Sequence, residues 1–474
     1  MRLTVAVLDK NGAEVSSKII EALASCAGAS DFCVATASEV VRAKKIEALA
    51  QRLAAPLGLG FATSKRSRKP EVMKIEGKTA VFEGAVYEPK LASVLEVVAK
   101  NVGGDAVYGA KALMETVEGD FALIVAEADR LVVARDPVGV EPLYYGENSQ
   151  VAAVASNRKA LWRLGVNCPK SFPPGNVAVV NRGGFTFQPV KVLRYSDPAS
   201  INLDDAAVKL QGLLEKSVQL RLGGVRKVAV AFSGGLDSSV VAFLAKKCGV
   251  EVQLIHVSLE NQPETEDAWK AAEELGLPLE VHLFKEADVE RVVHEVVGLI
   301  EDADPLKASV GVPFYWVAEK AVESGFRVLL AGQGADELFG GYQRYVNEYL
   351  TVGEESVRRA IYRDVTSIHE NNIERDKKIC GFHGVELRLP FASYPIAEFA
   401  LSLPTELKFE KKQDCPRKIV LRKAAQLMGL SETIVWKPKK AVQYGTGVSN
   451  ALKKIAKKEK VTLVEYIEKI FLAR

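Results

Sequence analysis

Residues 228–240 read Val-Ala-Val-Ala-Phe-Ser-Gly-Gly-Leu-Asp-Ser-Ser-Val. An apolar run stops abruptly at Ser233-Gly234-Gly235 and resumes after Asp237, Ser238 and Ser239 with helical spacing through Leu244, which predicts strand, tight turn, helix. The glycines let the backbone approach a ligand closely. The helix start offers free N–H groups to phosphate. The Asp237 carboxylate is placed to hold a metal ion that bridges phosphates. A plain strand-to-helix connection also uses glycine and serine, but hydroxyls, glycines and an acid together at one strand end favour a ligand. A second cluster, Ala331-Gly332-Gln333-Gly334-Ala335-Asp336-Glu337-Leu338-Phe339-Gly340-Gly341-Tyr342, again ends an apolar run in glycines and delivers a carboxylate. Alone, Asp336 could be a helix cap. Paired with the first loop, it favours ligand binding: two strand ends, each offering an acid, could flank one Mg²⁺, an ion that takes one or two carboxylates and leaves other positions to substrate phosphates.

The first loop has no Gly-Lys-Ser/Thr and so is not a Walker loop. It resembles the Ser-Gly-Gly-x-Asp-Ser pyrophosphate loop of enzymes that split ATP between its α and β phosphates. Together with the second cluster, with Gly384-Val385-Glu386-Leu387-Arg388-Leu389-Pro390-Phe391 and with Trp436-Lys437-Pro438-Lys439-Lys440, it makes the chain resemble the asparagine synthetase family of the class II glutamine amidotransferase type. In the first half, Glu118-Gly119-Asp120-Phe121-Ala122, Ala134-Arg135-Asp136, Pro142-Leu143-Tyr144-Tyr145 and Phe172-Pro173-Pro174-Gly175 resemble that family's amidotransferase domain.

The resemblance implies an AMP-forming ligase with ATP and Mg²⁺ as cofactors. A carboxylate, most simply that of L-aspartate, would be activated as an acyl-AMP and then captured by ammonia. By the family pattern Ser233, Gly234, Gly235, Asp237, Ser238 and Ser239 hold pyrophosphate and metal, and Asp336 is the second metal ligand. Val257, Ser258 and Gly332 contact the adenosine, and Lys439 stabilises charge during adenylation.

Two departures mark a divergent branch. The family nucleophile is a cysteine directly after the initiator Met, using its own α-amino group as base; here that position is Arg2, and Glu83-Gly84-Ala85 stands where the family has Asn-Gly-Glu. The first domain is therefore expected to be inactive as a glutaminase, with nitrogen entering as free ammonia or from a separate ammonia-supplying protein. Gln333 stands where the family usually has glutamate, and an amide does not transfer protons at neutral pH. Either another carboxylate serves (Glu301, Asp302 and Glu386 are the candidates) or the acceptor is a different acid. A non-catalytic regulatory role is the other alternative. Asp237, Asp336 and Lys439 together argue against it.

With 474 residues the chain exceeds one ordinary core. Residues 121–126 and 131–134 flank a turn as a hairpin, Val151–Ala155 and Val177–Val180 are strands, and Ser16–Ala27 and Glu39–Ala54 are expected helices. From Arg226 strands (228–232, 252–259, 279–283, 327–331) alternate with helices (239–247, 264–275, 289–300, 313–323), the rhythm of a covered parallel sheet. The last part of the chain is expected to be helical. The pattern gives an α/β chain whose first half is mixed α+β on antiparallel strands; the resemblance implies an Ntn-type αββα amidotransferase-like domain over 1–195, then a parallel-sheet pyrophosphate-loop synthetase domain over 204–474.

A net charge of +3 gives no strong pull toward nucleic acid or an anionic membrane. Six scattered cysteines include no Cys-x-x-Cys pair, and neither a membrane span nor a signal peptide stands out. The expected location is the cytoplasm. A homodimer is open to the chain, its oligomeric state being unset by the sequence.

Overall fold

The computed structural model describes residues 2–49, 55–89, 96, 98–100, 104–438 and 445–473. They form two compact units, Met1–Val192 and Leu193–Arg474.

In the first unit two antiparallel sheets lie face to face. One runs in the order Lys170–Ser171, Tyr144–Glu147, Val151–Ala155, Arg2–Asp9, Leu57–Thr63, Asp31–Ala35, Val40–Ala43. The other runs Gly184–Pro189, Asn176–Asn181, Leu131–Arg135, Glu118–Ala126, Lys78–Glu88, Glu71–Ile75. Ala6, Leu8, Leu57 and Leu59 of one sheet share a core with Val81, Ile124 and Val133 of the other. The outer faces are covered by helices Ser16–Leu23 and Arg158–Arg163 on one side and Ala106–Thr116 on the other. The central strands are therefore covered on both faces, which explains the near-continuous burial of Arg2–Asp9, while edge strands such as Val40–Ala43 and Glu71–Ile75 stay partly exposed. The result is the expected αββα arrangement. The helix expected at Glu39–Ala54 is not formed in the described part. Val40–Ala43 pairs with Asp31–Ala35 as an edge strand, and only Ile46–Leu49 coils, as a short 3₁₀ turn. Two adjacent β-branched residues, Val40 and Val41, favour the strand; residues 50–54 lie outside the described set.

The second unit opens with α1 (Leu203–Arg221), whose N-cap Asn202 accepts from the Asp205 N–H. A parallel sheet follows, built from β1 (Lys227–Ala231), β2 (Glu251–Leu259), β3 (Leu279–Phe284), β4 (Val328–Leu330) and β5 (Glu386–Arg388) in the order β3-β2-β1-β4-β5. The connecting helices include α2 (Leu236–Lys247), α3 (Glu264–Leu275), α4 (Glu286–Ile300), α5 (Pro305–Glu323) and α6 (Ala335–Phe339). Val228, Val230, Val240, Val241 and Leu244 are buried where β1 meets α2, each contributing about 1.5–3 kcal/mol. Helix α5 begins at Pro305 rather than Pro313 because Asp304 caps it, accepting from Leu306 N at 2.7 Å and Lys307 N at 3.2 Å. Proline is well placed in a first helical turn, so Pro305 is a better start than Pro313. After α6 the chain is largely helical, as expected; β5 was not foreseen. Among the described residues no helix is long and apolar enough to cross a membrane.

The strand order reverses direction between β1 and β4. In open α/β sheets, ligands bind outside the carboxyl ends of the strands at such a switch point. Both glycine-rich clusters leave the sheet there.

Candidate active site

The chain leaves β1 and turns through Ser233-Gly234-Gly235 into α2. Gly234 has φ +65°, and a Cβ there would lie 2.8 Å from Ala268 Cα and 2.9 Å from the Asp267 carbonyl, so only glycine lets this turn rest on α3. Ser238 closes the loop on itself, donating to the Gly235 carbonyl at 3.1 Å and lying 3.2 Å from Ser233 Oγ. Gly235 is the N-cap of α2 and carries no side-chain cap, leaving the helix start to other acceptors. Lys437 reaches the loop, its ammonium 3.0 Å from the Gly234 carbonyl.

Beside it the chain leaves β4 through Gly332. A Cβ on Gly332 would meet Asp237 Cβ at 2.9 Å and Ser238 N at 3.2 Å, so this glycine brings the two loops together. Gly334, at φ +98°, then starts α6, which carries Asp336 in its first turn. The two carboxylates converge on one point, the ammonium of Lys418. It lies 2.7 and 2.6 Å from the two Asp237 oxygens and 2.7 Å from Asp336 Oδ1. Lys418 is buried, with φ +61°, at the N-cap of α7 (Ile419–Met428). Gly341 makes room for the contact, since a Cβ there would fall 1.9 Å from Asp336 Oδ1 and 2.5 Å from Lys418 Cε.

These loops line a cavity of about 1160 Å³. Ser233, Gly234, Gly235, Asp237, Ser238, Val257, Gly332, Gln333 and Asp336 are on its wall. Ser239 and Ser258 are not: Ser239 is fully buried in α2, and Ser258 Oγ is 2.9 Å from Thr265 Oγ1. Glu386 is not brought to the cavity either. It pairs in register with Val328 at the amino end of β4, the opposite end of the sheet from Gly332, and binds Arg388 Nε at 2.8 Å. Of the other carboxylates expected to stand in at Gln333, Glu301 is buried against Lys378 Nζ at 2.8 Å, and Asp302 pairs with Lys307 at 2.7 Å. Lys439 lies outside the described residues.

The residue that does meet Gln333 is Asp376, in the helix Glu374–His383. Gln333 Nε2 donates to Asp376 Oδ2 at 2.6 Å, and Arg375 donates through Nε to Oδ1 at 2.7 Å and through Nη2 to Oδ2 at 3.0 Å. Burial pushes the Asp376 carboxyl upward against the pull of Arg375. Three further groups escaped the sequence reading. His256 on the cavity wall is held by the Phe232 carbonyl, its pKa lowered by burial. Buried Glu337 accepts from Tyr342 at 2.6 Å and Asn372 at 2.7 Å, its carboxyl raised by burial and then by Asp336. For Lys418 the available signal was a basic pair, Arg417-Lys418, after Pro416, which spacing alone does not connect to Asp237.

As a donor set, Asp237 and Asp336 fit a magnesium ion: two carboxylates within reach of a single point, beside a glycine loop suited to phosphate. An antiparallel αββα unit followed by a parallel-sheet unit with a glycine-loop cavity is the architecture of an amidotransferase-type ligase, an enzyme class that forms carbon–nitrogen bonds, and the family matches bear this out. The profile of the family described as Asparagine synthase matches residues 209–353 and 347–470, and that of the Glutamine amidotransferase domain matches residues 64–163. The chain belongs to the asparagine synthetase family. A Methanocaldococcus jannaschii protein, whose name assigns it provisionally to the glutamine-hydrolyzing asparagine synthetases, is 33% identical over 73% of this chain and 72% of its own length. Asparagine synthetase (glutamine-hydrolyzing) 1 of Saccharomyces cerevisiae is 27% identical over 70% of this chain and 65% of its own. A solved structure, glutamine phosphoribosylpyrophosphate amidotransferase of B. subtilis, is 12% identical with a TM-score of 0.34, covering 59% of this chain and 80% of that one, too distant a likeness to add to these.

Proposed function

We propose that the chain makes L-asparagine from L-aspartate and ammonia at the expense of ATP, which is cleaved to AMP and pyrophosphate. The observation that carries this reading is the convergence of Asp237 and Asp336 on one cationic point beside the Ser233–Ser238 loop. An oxygen of the substrate carboxylate attacks the α-phosphorus, the α–β anhydride bond breaks, and pyrophosphate leaves. Ammonia then attacks the acyl carbon, the bond to the phosphate oxygen breaks, and AMP departs as the nitrogen loses a proton to the solvent. Asp237 and Asp336 would hold Mg²⁺, which would supply neutralisation of phosphate charge. The Gly234–Ser238 backbone and Lys437 bind the departing pyrophosphate, where fixed donors act most strongly in a site screened from water. Val257 and Gly332 line the adenosine side, with Lys439 a further cation for adenylation by family pattern.

Ammonia, free or handed over by another protein, is the donor we favour. In the first unit Arg2 at the head of its strand pairs with both Glu83 and Glu141, two buried carboxylates. That guanidinium stands at the position of the family's nucleophile. Cys26 and Cys33, the buried thiols of the same unit, are both pushed up to about 11 by burial, far from a reactive thiolate at neutral pH.

ATP–pyrophosphate exchange, screened across amino acids with Mg²⁺, tests the ligase reading. Exchange with aspartate is expected; exchange with another acid alone would move the acceptor, and none at all would overturn the reading. Glutamate released from glutamine by the purified chain would overturn the choice of donor.

A further inference from the structure

The cavity wall at position 333 carries an amide where a proton-transferring carboxylate is expected, and the carboxylate has not left the neighbourhood. It sits behind the amide as Asp376, fully buried and off the cavity wall. Asp376 accepts on both oxygens from Arg375, and on Oδ2 also from Gln333. With both oxygens so engaged, Asp376 acts here as an acceptor. Nitrogen and oxygen of a glutamine amide are told apart by their partners, and here the partner leaves one choice: Nε2 faces Asp376, so Oε1 is turned away from it. Gln333 lines the cavity one residue past Gly332, where an added Cβ would lie 3.0 Å from the Asp237 carbonyl carbon and 3.2 Å from Ser238 N. With Gln333 on the cavity wall and Nε2 engaged by Asp376, Oε1 is the amide atom left for a ligand.

The geometry points to Asp376 as a positioning residue that locks the Gln333 amide so that its oxygen, and not its NH₂, receives an N–H of the attacking nitrogen. The ligand class is a small neutral amine, ammonia itself being the simplest. The hydrogen bond from Nε2 to Asp376 strengthens Oε1 as an acceptor, because hydrogen bonds in a chain polarise one another. Gln333 aims the nucleophile and takes no proton. A reversed amide would present NH₂ to the nitrogen, donor against donor.

This inference rests on the proposed amide synthesis, and its test separates the two. Three full-length chains are compared: wild type, Asp376→Asn, and the exchange variant Gln333→Glu/Asp376→Asn, which keeps one amide facing one carboxylate at nearly the same volume. Aspartate-dependent ATP–pyrophosphate exchange reads adenylation, and the KM for ammonium reads the nitrogen step. In Asp376→Asn, KM for ammonium is expected to rise about tenfold, the weight of one hydrogen bond to a charged group, with exchange retained. The exchange variant again offers a carbonyl-type oxygen to the cavity and is expected to recover ammonium affinity. An unchanged KM in Asp376→Asn, an equal loss of exchange, or no recovery in the exchange variant would each overturn the inference. A second readout needs no turnover. With glutamine selectively ¹⁵N-labelled, the Gln333 side-chain NH₂ should exchange slowly with solvent in the wild type and rapidly in Asp376→Asn. Fast exchange in the wild type would overturn the locked amide, even if wild-type chain failed to adenylate any amino acid and so removed the functional reading instead.

Discussion

The Lys418 ammonium lies 2.6 Å from Asp237 and is shared with Asp336 at 2.7 Å, so two carboxylates from different strand ends depend on one lysine. Removing one partner from a buried charge cluster leaves the others uncompensated. Lys418→Met is expected to lower the melting temperature in metal-free buffer, and Mg²⁺ should restore part of the loss by taking the place between the acids. Pyrophosphate exchange should fall about a hundredfold, as when one fixed donor to developing charge is removed. Melting curves with and without MgCl₂, beside the exchange assay, check both halves. A variant as stable as wild type without Mg²⁺ would show that Lys418 does not hold the two acids together.

The same contact dictates the effect of one methyl group. At Gly341 a Cβ would overlap Asp336 Oδ1 at 1.9 Å and press Lys418 Cε at 2.5 Å. Gly341→Ala should therefore push Asp336 out of reach of Asp237 and lose most of the exchange activity. Overpacking of this kind costs about 1–3 kcal/mol of stability, so the chain should still fold at room temperature. Activity loss with a preserved circular dichroism spectrum is the expected result.

Much of this site was legible in the residues alone. The two glycine-acid clusters announced two strand ends, and β-strand and α-helix alternation from Arg226 placed them on a parallel sheet, because hydrophobic period and turn chemistry are local properties. What eluded the sequence is non-local. Lys418 is remote in sequence from Asp237, and Asp376 from Gln333; neither spacing carries a signal until the sheet order brings them together. Glu386 was misplaced for the same reason: a conspicuous acid beside a recognisable motif lies at the amino end of β4 once β5 pairs in register. At Glu39–Ala54 local composition misled, since Val40–Ala43 found an edge to pair with, and tertiary pairing overrides weak helix propensity.

Ser238 and Ser239 are neighbours that the motif treats alike and the fold does not. Ser238 faces the cavity and closes the loop through the Gly235 carbonyl at 3.1 Å. Ser239 is buried, its Oγ meeting no hydrogen-bond partner among the described residues. Ser239→Ala removes a hydroxyl that gains little from its surroundings, so ATP affinity should stay within about threefold and stability should hold or rise. Ser238→Ala should weaken pyrophosphate binding more strongly. Equal losses in isothermal titration with pyrophosphate and Mg²⁺ would mean that Ser239 turns toward the ligand.

Lys408 supplies a prediction independent of the active site. It is buried at 3% exposure against a cavity of about 10 Å³ shared with Tyr195, Arg358, Tyr362 and Thr405, room for about one water molecule. Burial, and then the nearby Arg358 charge, pull its ammonium from the usual 10.5 down to about 7. Between those two values the unfolded chain binds a proton that the folded chain does not, so stability from this group rises with pH across that window, by at most about 1.4 kcal/mol per unit. Below pH 7 both states are protonated and the cost of burying the charge is fully present. Lys408→Met keeps the stem and removes the charge. The variant should melt higher than wild type at pH 7, and the gap should narrow steadily toward pH 10. A gap that is constant with pH would mean that Lys408 stays protonated in the fold, matched by an acceptor in the cavity.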